Sequence, residues 1–496
     1  MIKQILQRKI VSGVAVNLIG LLLISGLNII SIKIAFQYFG KDVFGVYTIL
    51  STFIGYVLLA NFGIPTAATI LISERLDKSS QKGIVIQSFM LICFVSCILF
   101  CLAMLCNFDY LGILLGVNQS LVQDFSFCIS VAIFSVALKL PFQLYQSIFL
   151  GNQMIASNKF VDVILIFTLV ILLYIGNHYQ LSFNRFYIVH SVVTTCIVFF
   201  AFAHAMQMYR HDKPIYSDDG IKNLKKSSFG FFMLSLPVTL GWTVDNLIIS
   251  SVLGISEVSS FAFSSKIYML GLAIVSVVPN TLFSFYLRDK VTNGLDSLSV
   301  IYQSALVIMK VIGGFLALVI LSFDELMINL WSGSISTYAG PAFSFAMCVY
   351  VYATAIVNLN SSFLTGVLNV RTVTFLSYIE VLLHITLSIF LAGSFGILGI
   401  GLAIAISTFI IPYLILPYLV RNFFQKNTIS RELPHLIFCF LPAAILVCMV
   451  KLFVVNDQTS YILIVASFLY FIVATWLLEK EKIVFSYFML IKSYRK

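Results

Sequence analysis

Charge is what this sequence lacks. Of its 496 residues 10% are charged and 60% are hydrophobic, whereas soluble domains carry about 25% charged residues. A chain so poor in charge cannot clothe a soluble surface, which excludes a multidomain cytosolic enzyme despite the length. Strict polar and apolar alternation is missing too, and the apolar runs are too long for tilted strands of about 10 residues, which excludes a membrane barrel. No CxxC occurs and no His spacing that would ligate a metal. The nine cysteines lie in or at the ends of apolar runs, as small buried apolar residues do. Walker, GxSxG and HExxH patterns are absent, so neither ATP hydrolysis nor a catalytic residue, a metal or a cofactor is expected. The start MIKQILQRKI is basic and then apolar, but no A-x-A-like cleavage site follows, so it reads as a retained first span.

What is present is a succession of apolar stretches, each long enough to cross a hydrocarbon core about 30 Å thick. Fourteen spans are expected, beginning with 11 to 39, 43 to 72, 84 to 106 and 121 to 150 and ending with 434 to 455 and 460 to 478. With the N-terminus cytoplasmic, the cytoplasmic segments take 23 of the 30 Lys and Arg, while Lys41, Arg185 and Lys451 fall on the other side. That asymmetry follows the positive-inside rule with both termini cytoplasmic. It also accounts for the formal charge of +10 without nucleic acid.

The spans repeat. The joint YFGKDVFGVY (38 to 47) matches LGISEVSSFAF (253 to 263) when Gly40 is set on Gly254. At nearly the same offset Pro65 pairs with Pro279, RLDK (75 to 78) with LRDK (287 to 290), and SIFLG (147 to 151) with SFLTG (362 to 366). The expected fold is an all-α polytopic membrane protein. Its six-helix lobes occupy 1 to 210 and 228 to 421, with a cytoplasmic linker at 211 to 227 and a two-helix addition at 434 to 478. An even number of spans per lobe makes the repeats parallel, and such a pair can rock about a central cavity. Pro65 and Pro279, read as interior prolines, are hinge candidates.

Six charges fall inside spans: Lys33, Lys139, Lys266, Lys310, Asp245 and Glu380. Each costs at least about 2.5 kcal/mol at a helix centre and therefore needs a partner, a wet cavity or a reachable interface. Asp245 and Lys266 lie at similar depth on consecutive antiparallel helices, roughly 12 Å in, and make a candidate ion pair. Lys139 and Lys310 are too deep to snorkel with ease and are expected to face the cavity; Lys33 is shallower. The six sum to +2, which suits an anionic cargo. Glu380 and His384, at i and i+4 on one helix face, could carry a coupling proton.

The stretch from Tyr38 to Leu76, with Phe62-Gly63 in its second helix, and SYIEVLLHITLSIFLAGSFGILGIGLAIAIST (377 to 408) resemble bacterial polysaccharide exporters of the Wzx type. These belong to the wider MOP superfamily with the MATE multidrug transporters and the lipid II flippase. The resemblance implies a flippase of the bacterial inner membrane carrying an undecaprenyl-pyrophosphate-linked oligosaccharide, of O-antigen or capsule type, from the cytoplasmic to the periplasmic leaflet. It also implies a cationic lumen, with membrane lipids and glycan polymerases or glycosyltransferases as partners. Here Asn61 stands where an acidic residue often precedes the Phe-Gly pair. A cation-coupled multidrug antiporter on the same scaffold would use Asp245 and Glu380, but the cationic excess argues against it. A membrane glycan polymerase would show a long periplasmic loop that this chain lacks.

If Asp245 and Lys266 are a pair, the charge-swapped double variant recovers export better than either single variant. A double-mutant cycle without coupling would reject the pair.

Overall fold

The computed structural model of the protein describes residues 2–75, 77–105, 108–216, 218–276, 279, 294–333, 337–367, 370–424, 432–453 and 461–478. Among these residues no strand occurs and helices dominate, as they must where lipid offers no partner for a free N–H or C=O. The chain folds as two units, Met1–Ser259 and Ser260–Lys496. The first holds α1 (Ile2–Leu58), α2 (Ile64–Glu74), α3 (Lys78–Leu105), α4 (Asp109–Leu114), α5 (Gln119–Lys139), α6 (Leu144–Gly151), α7 (Ile155–His178), α8 (Phe183–Met206) and α9 (Asp218–Leu253). Helix α10 (Ile255–Val275) starts in the first unit and crosses the boundary into the second. The second unit continues with α11 (Gly294–Ser332), α12 (Pro341–Val367), α13 (Val370–Phe395), α14 (Ile397–Thr408), α15 (Leu414–Phe424), α16 (Glu432–His435), α17 (Leu441–Phe453) and α18 (Tyr461–Leu478).

Twelve described helices are long and apolar enough to cross a bilayer, and a bent pair, Lys222–Gly241 with Thr243–Leu253, takes the count to 13. The first two expected spans contribute one to that count because they follow each other without a gap, two helices that meet at a kink at Gly40 within α1. At Gly40 the backbone turns to φ 72° and ψ 176°, a region open essentially to glycine alone. Gly254, its counterpart in the repeat, also has positive φ, 99°. Within the first unit the two joints meet: Ser259 donates to the Lys41 carbonyl at 2.6 Å, and the Lys41 ammonium lies 3.7 Å from the Glu257 carboxylate.

The unit boundary falls after α9, whereas the linker read from the repeat lies before it. Helix α9 packs on α1, α2 and α3. A sequence repeat records where a segment recurs, and packing records what it now covers.

The second span corrects the reading of Pro65 as an interior proline. The chain leaves α1 through a single 3-10 turn, Leu59–Asn61, passes Phe62 and Gly63 in left-handed conformation, and starts α2 with Pro65 as its second residue. Proline is well placed there, since the first-turn N–H groups have no helical acceptor. The bend belongs to Phe62-Gly63, and Asn61 supports it by accepting the Gly63 N–H at 2.8 Å. Pro279 is placed as a buried helical residue, but its neighbours and the LRDK segment lie outside the described residues. The fourth expected span, 121 to 150, is likewise broken: α5 ends at Lys139, and α6 resumes after a turn containing Pro141.

Around these breaks the first unit packs a core in which Ile64, Ala68 and Ile72 of α2 meet Tyr145, Ile148 and Phe149 of α6. Ser147 of α6 ties to the break itself by donating to the Pro65 carbonyl at 2.7 Å. On the expected cytoplasmic side Asp77 caps α3, accepting the Ser80 N–H and hydroxyl, each at 2.9 Å. These bonds hold its carboxyl below the usual range. The segment after α8 is strapped to the same end: Ile215 donates to the Ser79 carbonyl, and Lys82 to the carbonyls of Tyr209 and Asp212. In the second unit α12 is the central helix, packed on α11, α13, α14, α15 and α17. Two π-helical segments, Phe409–Tyr413 with Pro412 and Leu436–Phe440, join its neighbours.

A Cβ at Gly63 would lie 2.6 Å from the Ser228 carbonyl oxygen and 2.9 Å from Phe231 Cβ, at φ +71°. The left-handed cost alone is about 1–2 kcal/mol. Gly63→Ala is therefore expected to lower the unfolding temperature in detergent by several degrees. Gly26→Ala, where a Cβ meets nothing within 4 Å, leaves it in place. Equal melting of both variants would reject the steric role of Gly63.

Candidate functional site

Lys139 is the last residue of α5, so its ammonium sits beside the carbonyl end of a helix, where the backbone dipoles favour a cation. Pro141, two residues on, enforces that ending. The half-buried ammonium donates to the Thr194 hydroxyl of α8 at 3.3 Å, and Thr194 donates in turn to the His190 carbonyl at 2.8 Å. The His190 ring stacks on Phe186, with centroids 6.0 Å apart and planes within 3°. Two turns before Thr194, the buried Tyr187 hydroxyl has no hydrogen-bond partner. Helices α5 and α8 thus hold a cation and an imidazole within electrostatic reach of each other inside an apolar unit. Such a set can receive anionic or hydroxyl-rich groups at little desolvation cost to the ligand.

Asp245 belongs to the same unit, on α9, and is buried. Next to it Asn246 donates to Thr52 of α1 at 2.9 Å, and Tyr56 of α1 lies within electrostatic reach of the carboxylate. Lys33, on α1, is half-buried. The candidate partner Lys266 belongs to the second unit and is exposed on α10.

Also in the second unit, Lys310 is 0% exposed. The expected cavity-facing lysine is enclosed among packed helices in this conformation. Glu380 accepts the Thr408 hydroxyl at 2.9 Å, across from α13 to α14. His384, one turn further along α13, is buried. The i and i+4 pairing therefore places both groups on the helix face turned inward. Among the described residues no group of three or more His, Cys, Asp or Glu stands close enough to hold a metal.

Sequence reasoning missed a buried ion pair in this unit. Expected to end at 321, the ninth span continues as α11 to Ser332, which carries Asp324 inside, 0% exposed. Lys451 of α17, assigned from sequence to the outer side, bonds to its carboxylate. Tyr268 donates to the other carboxylate oxygen at 2.8 Å. The Lys451 ammonium also reaches the Leu321 carbonyl at 3.1 Å and the Tyr338 hydroxyl at 3.0 Å. Every strong acceptor and donor of the pair is thereby engaged, the condition under which burial of two charges is tolerated. A complementary acid and base near the outer ends of two spans was the available signal. Arg421 and the buried Glu432, 2.7 Å apart, were likewise not anticipated as a pair.

Removing one partner of such a pair costs about 3–5 kcal/mol, because the other charge is left buried. Lys451→Met is expected to lower the amount of folded protein in membranes severalfold, and the double variant with Asp324→Leu to recover part of it. Normal levels of Lys451→Met, measured by quantitative immunoblot of membranes, would contradict this.

Residues 10–284 match the family described as polysaccharide biosynthesis protein. No curated protein matches the sequence. Among solved structures, the chain is similar to the lipid II flippase MurJ in an inward closed conformation, at 16% identity and TM-score 0.66 over 93% of this chain and 98% of that one. It is similar to an inward-facing multidrug resistance MATE family transporter of the MOP superfamily, at 14% identity and TM-score 0.69 over 82% and 96%. A MOP superfamily transporter from Pyrococcus furiosus aligns at 15% identity and TM-score 0.60 over 84% and 95%. These likenesses establish a shared fold, and the family match extends over more than half of the sequence: the chain belongs to the polysaccharide biosynthesis protein family.

Proposed function

We propose that this chain is a flippase of the bacterial inner membrane. It moves an undecaprenyl-pyrophosphate-linked oligosaccharide repeat unit from the cytoplasmic to the periplasmic leaflet by alternating access, with both termini cytoplasmic. The observation that carries the reading is Lys139, a cation at the end of a membrane-length helix of a polysaccharide biosynthesis family member. It is held at the end of α5 by one long hydrogen bond to Thr194, so it keeps donors for a pyrophosphate. His190 within electrostatic reach of it offers an imidazole contact of the kind sugars accept. The fold it shares with MurJ and MATE transporters supports a moving carrier over a fixed channel. Partner glycan polymerases or glycosyltransferases would meet it at its short cytoplasmic segments.

A second reading, a cation-coupled drug antiporter, draws on the second unit. Glu380, bonded to Thr408 and followed one turn later by His384, is an acid placed to exchange a proton during a cycle. The two readings combine if Glu380 couples a proton to glycan export.

The deciding experiment deletes the gene and follows lipid-linked glycan. Undecaprenyl-linked repeat units are expected to accumulate on the cytoplasmic face while surface polymer is lost. Normal polymer together with sensitivity to cationic drugs would overturn the flippase reading in favour of the antiporter. Restoring the strain with Lys139→Ala is expected to return membrane protein at normal level but export reduced roughly tenfold or more, since a charged hydrogen bond contributes about 1.5–3 kcal/mol. Full export by Lys139→Ala would remove Lys139 from the substrate path.

A further inference from the structure

By the sequence repeat α9 opens the second half of the chain, yet it lies in the first unit, and the way it is attached decides what can move. The segment that leads to it, 210 to 216, is drawn as a strap across one end of that unit. Ile215 donates to the Ser79 carbonyl at 3.1 Å, and the Lys82 ammonium to the Tyr209 and Asp212 carbonyls at 3.0 and 2.7 Å. A Cβ at Gly83 would lie 2.0 Å from the Ile215 carbonyl oxygen, so the strap passes where a side chain would stand. Its own Ile215 and Tyr216 side chains are exposed. Backbone bonds and a lysine hold it, not apolar burial.

Just before the strap comes Tyr209, 0% exposed. Its hydroxyl accepts from Asn152 after α6 at 2.9 Å and donates to Gln81 of α3 at 3.2 Å. The Gln81 amide donates onward to the Ile72 and Arg75 carbonyls at the end of α2, at 3.1 and 2.7 Å. The ends of α2, α3, α6 and α8 are thus bonded through one buried phenol. A linker that lets two bodies swing is crossed by few contacts. This one is pinned.

Helix α9 is then held along its length. Leu224 enters the core of the first unit, and a Cβ at Gly63 would lie 2.6 Å from the Ser228 carbonyl oxygen. Further on, Asn246 donates to Thr52 at 2.9 Å, and the Ser250 hydroxyl to the Leu115 carbonyl. From Leu224 to Ser250 a helix runs about 39 Å, more than the ~30 Å of a hydrocarbon core. A contact made to open resembles Lys41 with Glu257, 3.7 Å apart with each side chain about a third exposed. The strap instead interlocks buried side chains with backbone approaches that only glycine leaves room for.

We propose that the strap and α9 stay fastened to the first unit throughout the transport cycle. The linker at 211 to 227 is then not the joint about which the repeats move; that joint lies beyond α9. Lys139 and Asp245 ride on one body at a fixed separation, while Glu380 belongs to the part that moves past them. This rests on the flippase reading only in requiring that a cycle occurs.

The test uses the full-length protein, its nine native cysteines replaced by alanine, in liposomes containing an undecaprenyl-pyrophosphate-linked disaccharide. Ser79→Cys and Ile215→Cys are joined by a reducible bridge, and both flipping and hydrogen exchange of the strap amides are followed before and after joining. The joined protein is expected to flip within about twofold of the unjoined one, with strap amides protected at least about tenfold over a free peptide. Lys82→Met removes two of the strap's bonds and is expected to slow flipping about fivefold. Joining 79 to 215 in that variant restores the rate. Flipping lost on joining and regained on reduction would show that the strap has to open, and overturns the proposal. A normal rate in Lys82→Met with a freely exchanging strap overturns it too. Should the native protein not flip the disaccharide at all, the flippase reading fails and exchange alone decides: a protected strap upholds the fastening, and an unprotected one sinks it.

Discussion

Hydrocarbon supplies no hydrogen bonds, and that constraint governs where this chain can stop being a helix. Each departure from helical structure brings its own partners. At the break in the second span Asn61 satisfies the Gly63 N–H and Ser147 reaches the Pro65 carbonyl. After α5 the carbonyl of Lys139 receives the N–H groups of both Phe142 and Gln143 at 3.0 Å. In the second unit two of the departures are π-helical, and at Phe409–Tyr413 this widens the ladder instead of abandoning it and so accommodates Pro412. The breaks are also where the chemistry lies, because only an ended helix leaves a carbonyl cluster able to steady a lysine such as Lys139.

Charge inside the protein follows two patterns. In one, the group is fully spent: Asp324 and Lys451 have every strong site engaged, and Asp324 is wholly buried. In the other it is underused: Lys139 makes one long bond, to Thr194. The first pattern fastens the added helices to the rest of the second unit; the second leaves binding capacity for something that arrives later.

That difference explains what was legible in the sequence. Span positions, the joints at Gly40 and Gly254 and the polar character of α13 follow from hydropathy, glycine and spacing, and all are local. The kink assigned to Pro65 went astray because proline is compatible with both a helix interior and a helix start, and the left-handed Phe62 that decides between them has no local signature. Asp324 was overlooked because its span was ended at 321, three residues short of it, and its partner lies in another helix far along the chain. Pairings across the fold, including Asn246 with Thr52, depend on tertiary packing that one sequence does not display.

The buried pair has a consequence for how the protein is made. Asp324 and Lys451 are 127 residues apart in the chain. At a synthesis rate of about 5–20 residues per second, the carboxylate waits roughly 6–25 s for its ammonium partner to emerge. During that interval the insertion machinery must shelter an acid that the bilayer cannot, or let it bear a proton, and the last helices of the chain release it from that custody.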